Sequence, residues 1–449
     1  MARASSHRRA PRAFEGFGLT GRFLGAEWHR GGGSRFPTSV RCVLICSDLR
    51  RYPRVIVIGA GLGGLCLAQG LRRSGIDVAV YERDVSAAVR SQGHRLHIDG
   101  RGRWALAETL PPRLFSLLSS IVGRPTPTVN GFDQTLRPTG VFAVDDPVSD
   151  HDMPAHTVVD RRVLRRILLT GLDEVVHFGH RCIGYECRGD TVMARFADGG
   201  TATGSVLVAA DGVGSVIRAR RLPHARVVDS GIRLIYGRVP LTSELRGALP
   251  EVMFSVFNSI VGPGHRFVGI APVQYLEPPH VAASRLAPEV ALEPAEDGLA
   301  VMFGRRLDRL GLSDRELRAA SGRQLRDLVL DQLHGWNPLV TRVVRDWTPS
   351  TVHPITVRSS VPIPPWPTSN VTLLGDAIHA MSPAAGAGAN TALHDAAALA
   401  AALTDAADGR PLPDALGAYE RSMTEAGFRM VRLSAANGTR TLAADPLPE

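Results

Sequence analysis

Residues 54–64 read Arg54-Val55-Ile56-Val57-Ile58-Gly59-Ala60-Gly61-Leu62-Gly63-Gly64, and this stretch restricts the fold more than any other. Four apolar residues, all of them β-branched, form a buried strand. Gly-x-Gly-x-x-Gly follows, and Leu65, Leu67, Ala68 and Leu71 then recur at helical spacing until Gly75. Strand, glycine turn and helix in this order predict the first unit of a parallel sheet that binds a dinucleotide. Gly59 permits the tight turn, Gly61 lets a pyrophosphate approach the backbone, and Gly64 lets helix and strand pack closely. The unbonded amides and positive dipole end of the helix then face the phosphates. A second strand, Asp77-Val78-Ala79-Val80-Tyr81, ends in Glu82, 18 residues beyond Gly64. A carboxylate there accepts from both ribose hydroxyls and repels a 2′-phosphate, so FAD or NAD is expected and NADP is not.

Two later segments narrow that choice. Val206-Leu207-Val208-Ala209-Ala210 runs into Asp211-Gly212, and Val371-Thr372-Leu373-Leu374 runs into Gly375-Asp376. The second continues through His379 and Pro383 into Ala384-Ala385-Gly386-Ala387-Gly388-Ala389-Asn390. Each is a buried strand that stops where a carboxylate can meet a ligand at the strand's carboxyl end. Asp198-Gly199 reads only as a hairpin turn.

With all three motifs in this order, the chain resembles the class A, aromatic-hydroxylase type of FAD-dependent monooxygenase, the family of the tetracycline-inactivating and salicylate-hydroxylating enzymes. The likeness covers residues 54–435. It implies an α/β protein in which a Rossmann-like FAD-binding domain is interleaved with a substrate domain built on a mixed β-sheet. By resemblance, Gly59, Gly61 and Gly64 hold the ADP half of non-covalent FAD, Glu82 binds its ribose, and Arg83 lies along the adenosine. Asp211 is implicated in pyrophosphate and NAD(P)H contacts. Asp376, after Gly375, accepts from the ribityl chain, and the loop from Pro383 through Gly388 to Asn390 runs beside the isoalloxazine. Arg161 falls on the family's Arg-x-x-Leu position and is expected against the FAD, whereas Arg162, Arg165 and Arg166 read as a solvated helix face. Arg90, eight residues after Glu82, matches an arginine that relatives use near NADPH or NADH. The resemblance further implies transient reduction by NAD(P)H, and reaction of reduced flavin with O2 to a C4a-hydroperoxide that hydroxylates or epoxidises an aromatic or polycyclic small molecule, as in secondary metabolism.

Other chemistry is thinly signalled. A base that deprotonates a phenol would assist oxygen transfer. The candidates are His379, His94 and His97, with Pro383 beside them in the third motif; alternation along Gly93–Ile98 puts Arg95 and His97 on one face. Residues 226–345 carry the strand pattern of a substrate lobe, with Ile232–Arg238, Val252–Phe257 and Phe267–Ile270 as strands whose Met and Phe side chains line a pocket or fill a core. The FAD domain is then expected over 54–225 and 346–410, a helix over 412–435, and a loose tail over 436–449.

Composition removes several partners. All 52 basic residues are arginine; residues 1–54 hold eleven of them against three acidic residues, while residues 55–449 hold 41 against 40. The basic charge therefore belongs to a segment, 1–53, read as a disordered extension, and the nearly neutral body offers nucleic acid no patch. No apolar run approaches the roughly 20 residues of a membrane span. Five cysteines without histidine at zinc spacing give neither a disulfide framework nor a metal site, so a reducing, cytoplasmic setting is expected. The absence of lysine, and of a Trp-x-Trp-x-x-Pro motif, removes a tryptophan-halogenase reading. A geranylgeranyl-reductase-like flavoprotein and a flavin-binding redox protein without turnover remain as alternatives. Oligomeric state is not legible.

Overall fold

The computed structural model describes residues 54–87, 95–144 and 156–448. The segment 1–53, Arg90 and His94 lie outside the described residues. The chain opens with β1 (Val55–Ile58), every residue of which is buried, and α1 (Leu62–Arg73), which ends before Gly75 at φ 73°. After β2 (Val78–Glu82) comes β3 (Arg95–Ile98). Asp99 caps α2 (Gly100–Thr109) by accepting from the Arg101 and Gly102 amides, and proline opens α3 (Pro112–Ile121). The hairpin β4 (Thr126–Asp133) and β5 (Pro138–Ala143) follows. Beyond β6 (Thr157–Asp160), Asp160 caps α4 (Arg161–Leu169), whose apolar stripe of Val163, Leu164, Ile167 and Leu168 is buried as its spacing predicts.

The chain then adds β7 (Val176–Phe178), a meander of β8 (Cys182–Arg188), β9 (Thr191–Phe196) and β10 (Thr201–Gly204), then β11 (Val206–Ala209) and α5 (Val216–Arg221). The long β12 (Val227–Pro240) leads through α6 (Ser243–Ala248) to β13 (Ser255–Gly262) and β14 (Arg266–Val273). Next come α7 (Pro279–Leu286), β15 (Gly298–Arg306) and three helices: α8 (Asp314–Ala319), α9 (Gly322–Gln332) and α10 (Pro338–Arg345). The chain closes with β16 (His353–Ser360), β17 (Val371–Leu373), α11 (Asp376–His379), α12 (Gly388–Ala407) and α13 (Leu412–Leu442). Among the described residues no helix is long and apolar enough to cross a membrane.

Two large sheets organise these elements. The first is parallel, in the order β17-β11-β1-β2-β7, so the three motif-bearing strands β17, β11 and β1 lie side by side with their carboxyl ends at one edge. The second has seven strands in the order β16-β12-β15-β14-β13-β4-β5. The fold is α/β, with the two parts interleaved along the chain. The interleaving runs deeper than the expected boundaries of 226 and 345, because β4, β5 and β16 come from outside them. Strand pairing rather than chain order sets those limits.

Two other expectations change. Val252 and Met253 belong to a 3-10 turn, Glu251–Met253, and the strand starts only at Ser255. Residues 436–448 are not a loose tail: α13 continues to Leu442, and Leu442 and Ala444 bury themselves against Ile232, Leu234 and Phe267 of the seven-stranded sheet. Asp445 adds an ion pair with Arg306 at 2.6 Å. The apolar residues that anchor this segment are too few and too irregularly spaced to show a period.

Candidate active site

The three glycines of the first motif divide the work differently. A Cβ on Gly59 would lie 2.4 Å from the Ala210 carbonyl, and one on Gly64 would lie 2.1 Å from the Gly59 carbonyl, so both are required by packing. Gly59 also sits at φ 107°, where side chains are strained. Nothing lies within 4 Å of a Cβ on Gly61, which faces open space at the start of α1. No side chain caps that helix. Glu82, buried at the end of β2, accepts from the Ala60 amide at 2.8 Å and the Asp84 amide at 3.0 Å, so it braces the loop beside Gly61. Arg83 is exposed.

The second motif lies one strand away. Asp211 Oδ2 accepts from the Val216 amide at 3.0 Å, while its Oδ1 is buried and unbonded. Burial pushes this carboxyl above its usual range. Arg218, on α5, joins this motif to the third by donating to the Val213 carbonyl and, at 2.9 Å, to the Ala377 carbonyl.

In the third motif Gly375 stands at φ 59°, and Asp376 follows on α11. Asp376 is exposed; desolvation by the protein around it raises its carboxyl above the usual range, while His379 and Arg161 pull it back down. Arg161, from α4, and Asp376, from α11, are thus brought together across some 215 residues of chain. Pro383 is exposed, and Gly388 is the first residue of α12, whose first turn has no side-chain cap. Asn390 is fully buried and spends its amide on the backbone: Nδ2 donates to the His97 carbonyl and Oδ1 accepts from the Asp99 amide. It ties α12 to β3.

His379 does not fit the role of a base that touches substrate. It is wholly buried, and its Nε2 lies 2.6 Å from Asp395 Oδ2. Its place within the motif drew attention, but its side chain points into the protein. His97 is different. Arg95 and His97 share the face of β3 that looks toward the seven-stranded sheet, since Arg95 donates to the Pro272 carbonyl at 3.0 Å and to the Val256 carbonyl. His97 Nε2 is 2.9 Å from His156 Nδ1, and the rings stack at 5.0 Å. Burial, with Arg95 and His156 nearby, lowers His97 to about 3, so it is neutral at physiological pH. Burial without a counter-charge lowers Arg95 to about 9.

The sheet face that meets this wall carries one row of directly opposed residues: His353, Tyr236, Met302, Gly269 and Ser259. Tyr236 stacks on His353, and Phe257 stacks on Phe267 beside that row. Tyr236, Phe257 and Met302 are half-buried. Burial pushes the Tyr236 phenol up to about 12. Arg238, two residues along, bridges to Asp160 at 2.9 Å and so fixes the sheet against α4.

Sequence reasoning missed four contributors. Arg165 is not solvated: it donates to the Ala60 and Ala87 carbonyls and clamps the first motif. Arg218, Asp395 and the Asp160–Arg238 pair likewise work through backbone or distant partners. None has a local signature, although Arg218 ends the second motif.

Residues 57–119 match the NAD(P)-binding Rossmann-like domain and residues 345–434 the FAD binding domain. A solved structure from Photorhabdus luminescens, assigned as an FAD containing monooxygenase, is 31% identical, covers 86% of this chain and 98% of its own, and superposes with a TM-score of 0.73. The chain belongs to the class A FAD-dependent monooxygenases. HpxO of Klebsiella pneumoniae, solved with FAD and uric acid, is 25% identical over 86% of this chain and 88% of its own, with a TM-score of 0.69. The dual O-methyltransferase/FAD-dependent monooxygenase CTB3 of Cercospora beticola is 31% identical over 94% of this chain. The chain spans between 39% and 50% of the length of the curated fungal relatives of this dual kind.

The residues present fit FAD. An open glycine beside an uncapped helix, an orphaned buried oxygen on Asp211 and an accessible, crowded carboxyl on Asp376 line up along one sheet edge.

Proposed function

We propose that this chain is an FAD-dependent monooxygenase that consumes NAD(P)H and O2 to hydroxylate or epoxidise an aromatic or polycyclic small molecule of secondary metabolism. The observation that carries the reading is the row of open features at one edge of the parallel sheet: Gly61 before the uncapped α1, the unbonded Asp211 Oδ1 and the exposed Asp376, with the half-buried Tyr236, Met302 and Phe257 on one face of the second sheet as the place for a ring. FAD, when bound, supplies the two-electron chemistry and the activation of O2. Glu82 would hold its ribose, the backbone at Gly61 its pyrophosphate, with Gly59 and Gly64 shaping the turn and Asp211 nearby, and Asp376 its ribityl chain, with Arg161 alongside. The first amides of α12, at Gly388 and beyond, would favour negative charge on the flavin. The apolar sheet face excludes water and orients a flat ring. His97, held neutral and hydrogen-bonded to His156, is too weakly basic to take a phenolic proton and would serve only to orient a substrate hydroxyl by hydrogen bond. NADPH or NADH binds transiently. Small molecules, rather than nucleic acid, are its partners, and the setting is cytoplasmic.

The test is a panel of aromatic and polyketide-like compounds screened against the FAD-loaded protein with NADPH and with NADH. Oxidation stimulated by one of them, with a product one oxygen heavier, is expected. Bound FAD that neither nicotinamide can reduce, whatever ring compound is present, sinks the reading.

A further inference from the structure

Asp395 lies in the middle of an alanine-rich helix, α12, and is 1% exposed. Its single oxygen Oδ2 accepts from the Gly375 amide at 3.0 Å and from His379 Nε2 at 2.6 Å. Those two partners bracket Asp376: the first sets the turn that launches it, and the second lies one helical turn behind it. An apolar residue would be easier to bury against β17 than a carboxylate, so this one needs a reason other than packing. Gly427 of α13 presses the imidazole into place, since a Cβ there would lie 2.4 Å from His379 Cδ2.

We propose that Asp395 is a positioning residue, which locks the Gly375 turn and fixes the His379 ring, with any proton it carries, behind Asp376, so that Asp376 stays aimed at the flavin. The proposal rests on the flavin reading above. Burial alone lowers the basicity of His379, but Asp395, by charge and hydrogen bond, and Asp376 raise it overall. The other groups around the pair are few. Arg161 of α4 acts on Asp376. Arg218 of α5 reaches the Ala377 carbonyl. Tyr419 of α13 donates to the Leu373 carbonyl, and burial keeps its phenol protonated. Arg358 on β16 is exposed. None of these replaces the contact that Asp395 makes with His379.

The test titrates the full-length apoprotein with FAD from pH 5 to 9, reading quenching of flavin fluorescence, for wild type, Asp395→Asn, His379→Gln and the double variant. Circular dichroism and the melting midpoint check folding. Wild-type affinity is expected to fall on acidification as Asp376 takes up a proton. In both single variants the midpoint of that fall moves up by about one pH unit, and affinity at pH 7 drops roughly tenfold. The double variant is within about twofold of either single one, because both act through one path. His379→Gln keeps Asp395 and its bond to Gly375, so it reads the midpoint whether or not Asp395→Asn folds. An affinity lowered equally at every pH, with an unmoved acid midpoint, marks a merely structural role and overturns the proposal, as does unchanged binding in folded variants. Wild-type apoprotein that binds no FAD at any pH overturns the flavin reading, and this proposal with it.

Discussion

The two faces of the seven-stranded sheet use similar apolar residues to opposite ends. On one face Ile235, Val239, Val301 and Phe303 are buried beneath α8, α9 and α10, and Trp347 and Trp336 close over the strands. The approach is so tight that a Cβ on Gly237 would lie 2.4 Å from the Trp347 ring, and one on Gly262 would lie 2.5 Å from Trp336. On the other face Tyr236, Met302, Phe257 and Ile355 are only half-buried, and it is the end of α13, with Leu442 and Ala444, that covers part of them. The lesson is that a strand's period of two hands alternate residues to a core and to a site, and hydrophobicity does not say which. What decides it is the layer opposite: helices α8, α9 and α10 on one side, and β3 with the end of α13 on the other.

If that contrast is right, the largest effect comes from the closed face. Trp347→Ala is expected to destabilise by about 3–5 kcal/mol, because the cavity left against Gly237 cannot collapse; urea denaturation measures it, and a loss below about 1 kcal/mol would break the comparison. At the edge of the parallel sheet, Asp376→Ala is expected to weaken FAD by about 1.5–3 kcal/mol while leaving urea stability nearly unchanged, since the proposed charge-assisted bond to the ribityl chain would be lost and no packing would. Full flavin occupancy with wild-type affinity in that variant would refute its role. Arg238→Ala should cost about 1–3 kcal/mol of stability, because the buried Asp160 loses its cross-sheet partner and keeps only its capping bond and a longer, 3.5 Å pair with the exposed Arg162.

Smaller effects discriminate more finely. Met302→Ala on the open face is expected to cost only about 1 kcal/mol but to change substrate-stimulated NAD(P)H oxidation; a variant with unchanged kinetics at every ring compound would show that this row is core after all. The smallest effect is a pH dependence. His379 is raised in the folded protein, so the stability it contributes is fully present below its unfolded value of about 6.5 and is lost as pH rises through the folded value. The melting midpoint of the apoprotein should therefore decline above about pH 6.5, and His379→Gln should flatten that part of the profile.

The motif-bearing strands were legible because each confines its chemistry to about a dozen consecutive residues. Gly59, Gly61 and Gly64, then Asp211, then Gly375 and Asp376 could be read locally, and β1, β11 and β17 then proved to be neighbours. Arg161 came from the resemblance, which sets it on the Arg-x-x-Leu position; the apolar stripe shows only that it starts a helix. His379 misled, since a histidine inside a motif is as ready to brace it as to act in it. Arg165 was read as solvent-facing because helix periodicity shows which residues face the core, not which polar ones reach sideways to a loop carbonyl.

By itself the sequence determined the dinucleotide unit, the order of the three motifs and the near neutrality of residues 55–449, because backbone turns, strand runs and charge are local or additive properties. Only the tertiary structure decided that β4, β5 and β16 join the substrate sheet, that residues 436–448 dock rather than trail, and that Asp395 stands behind Asp376. Those are pairings between residues distant along the chain, and their free energy comes from surfaces that meet only once the two sheets have packed. The same packing gives one face of the seven-stranded sheet to the core and leaves the other to the site.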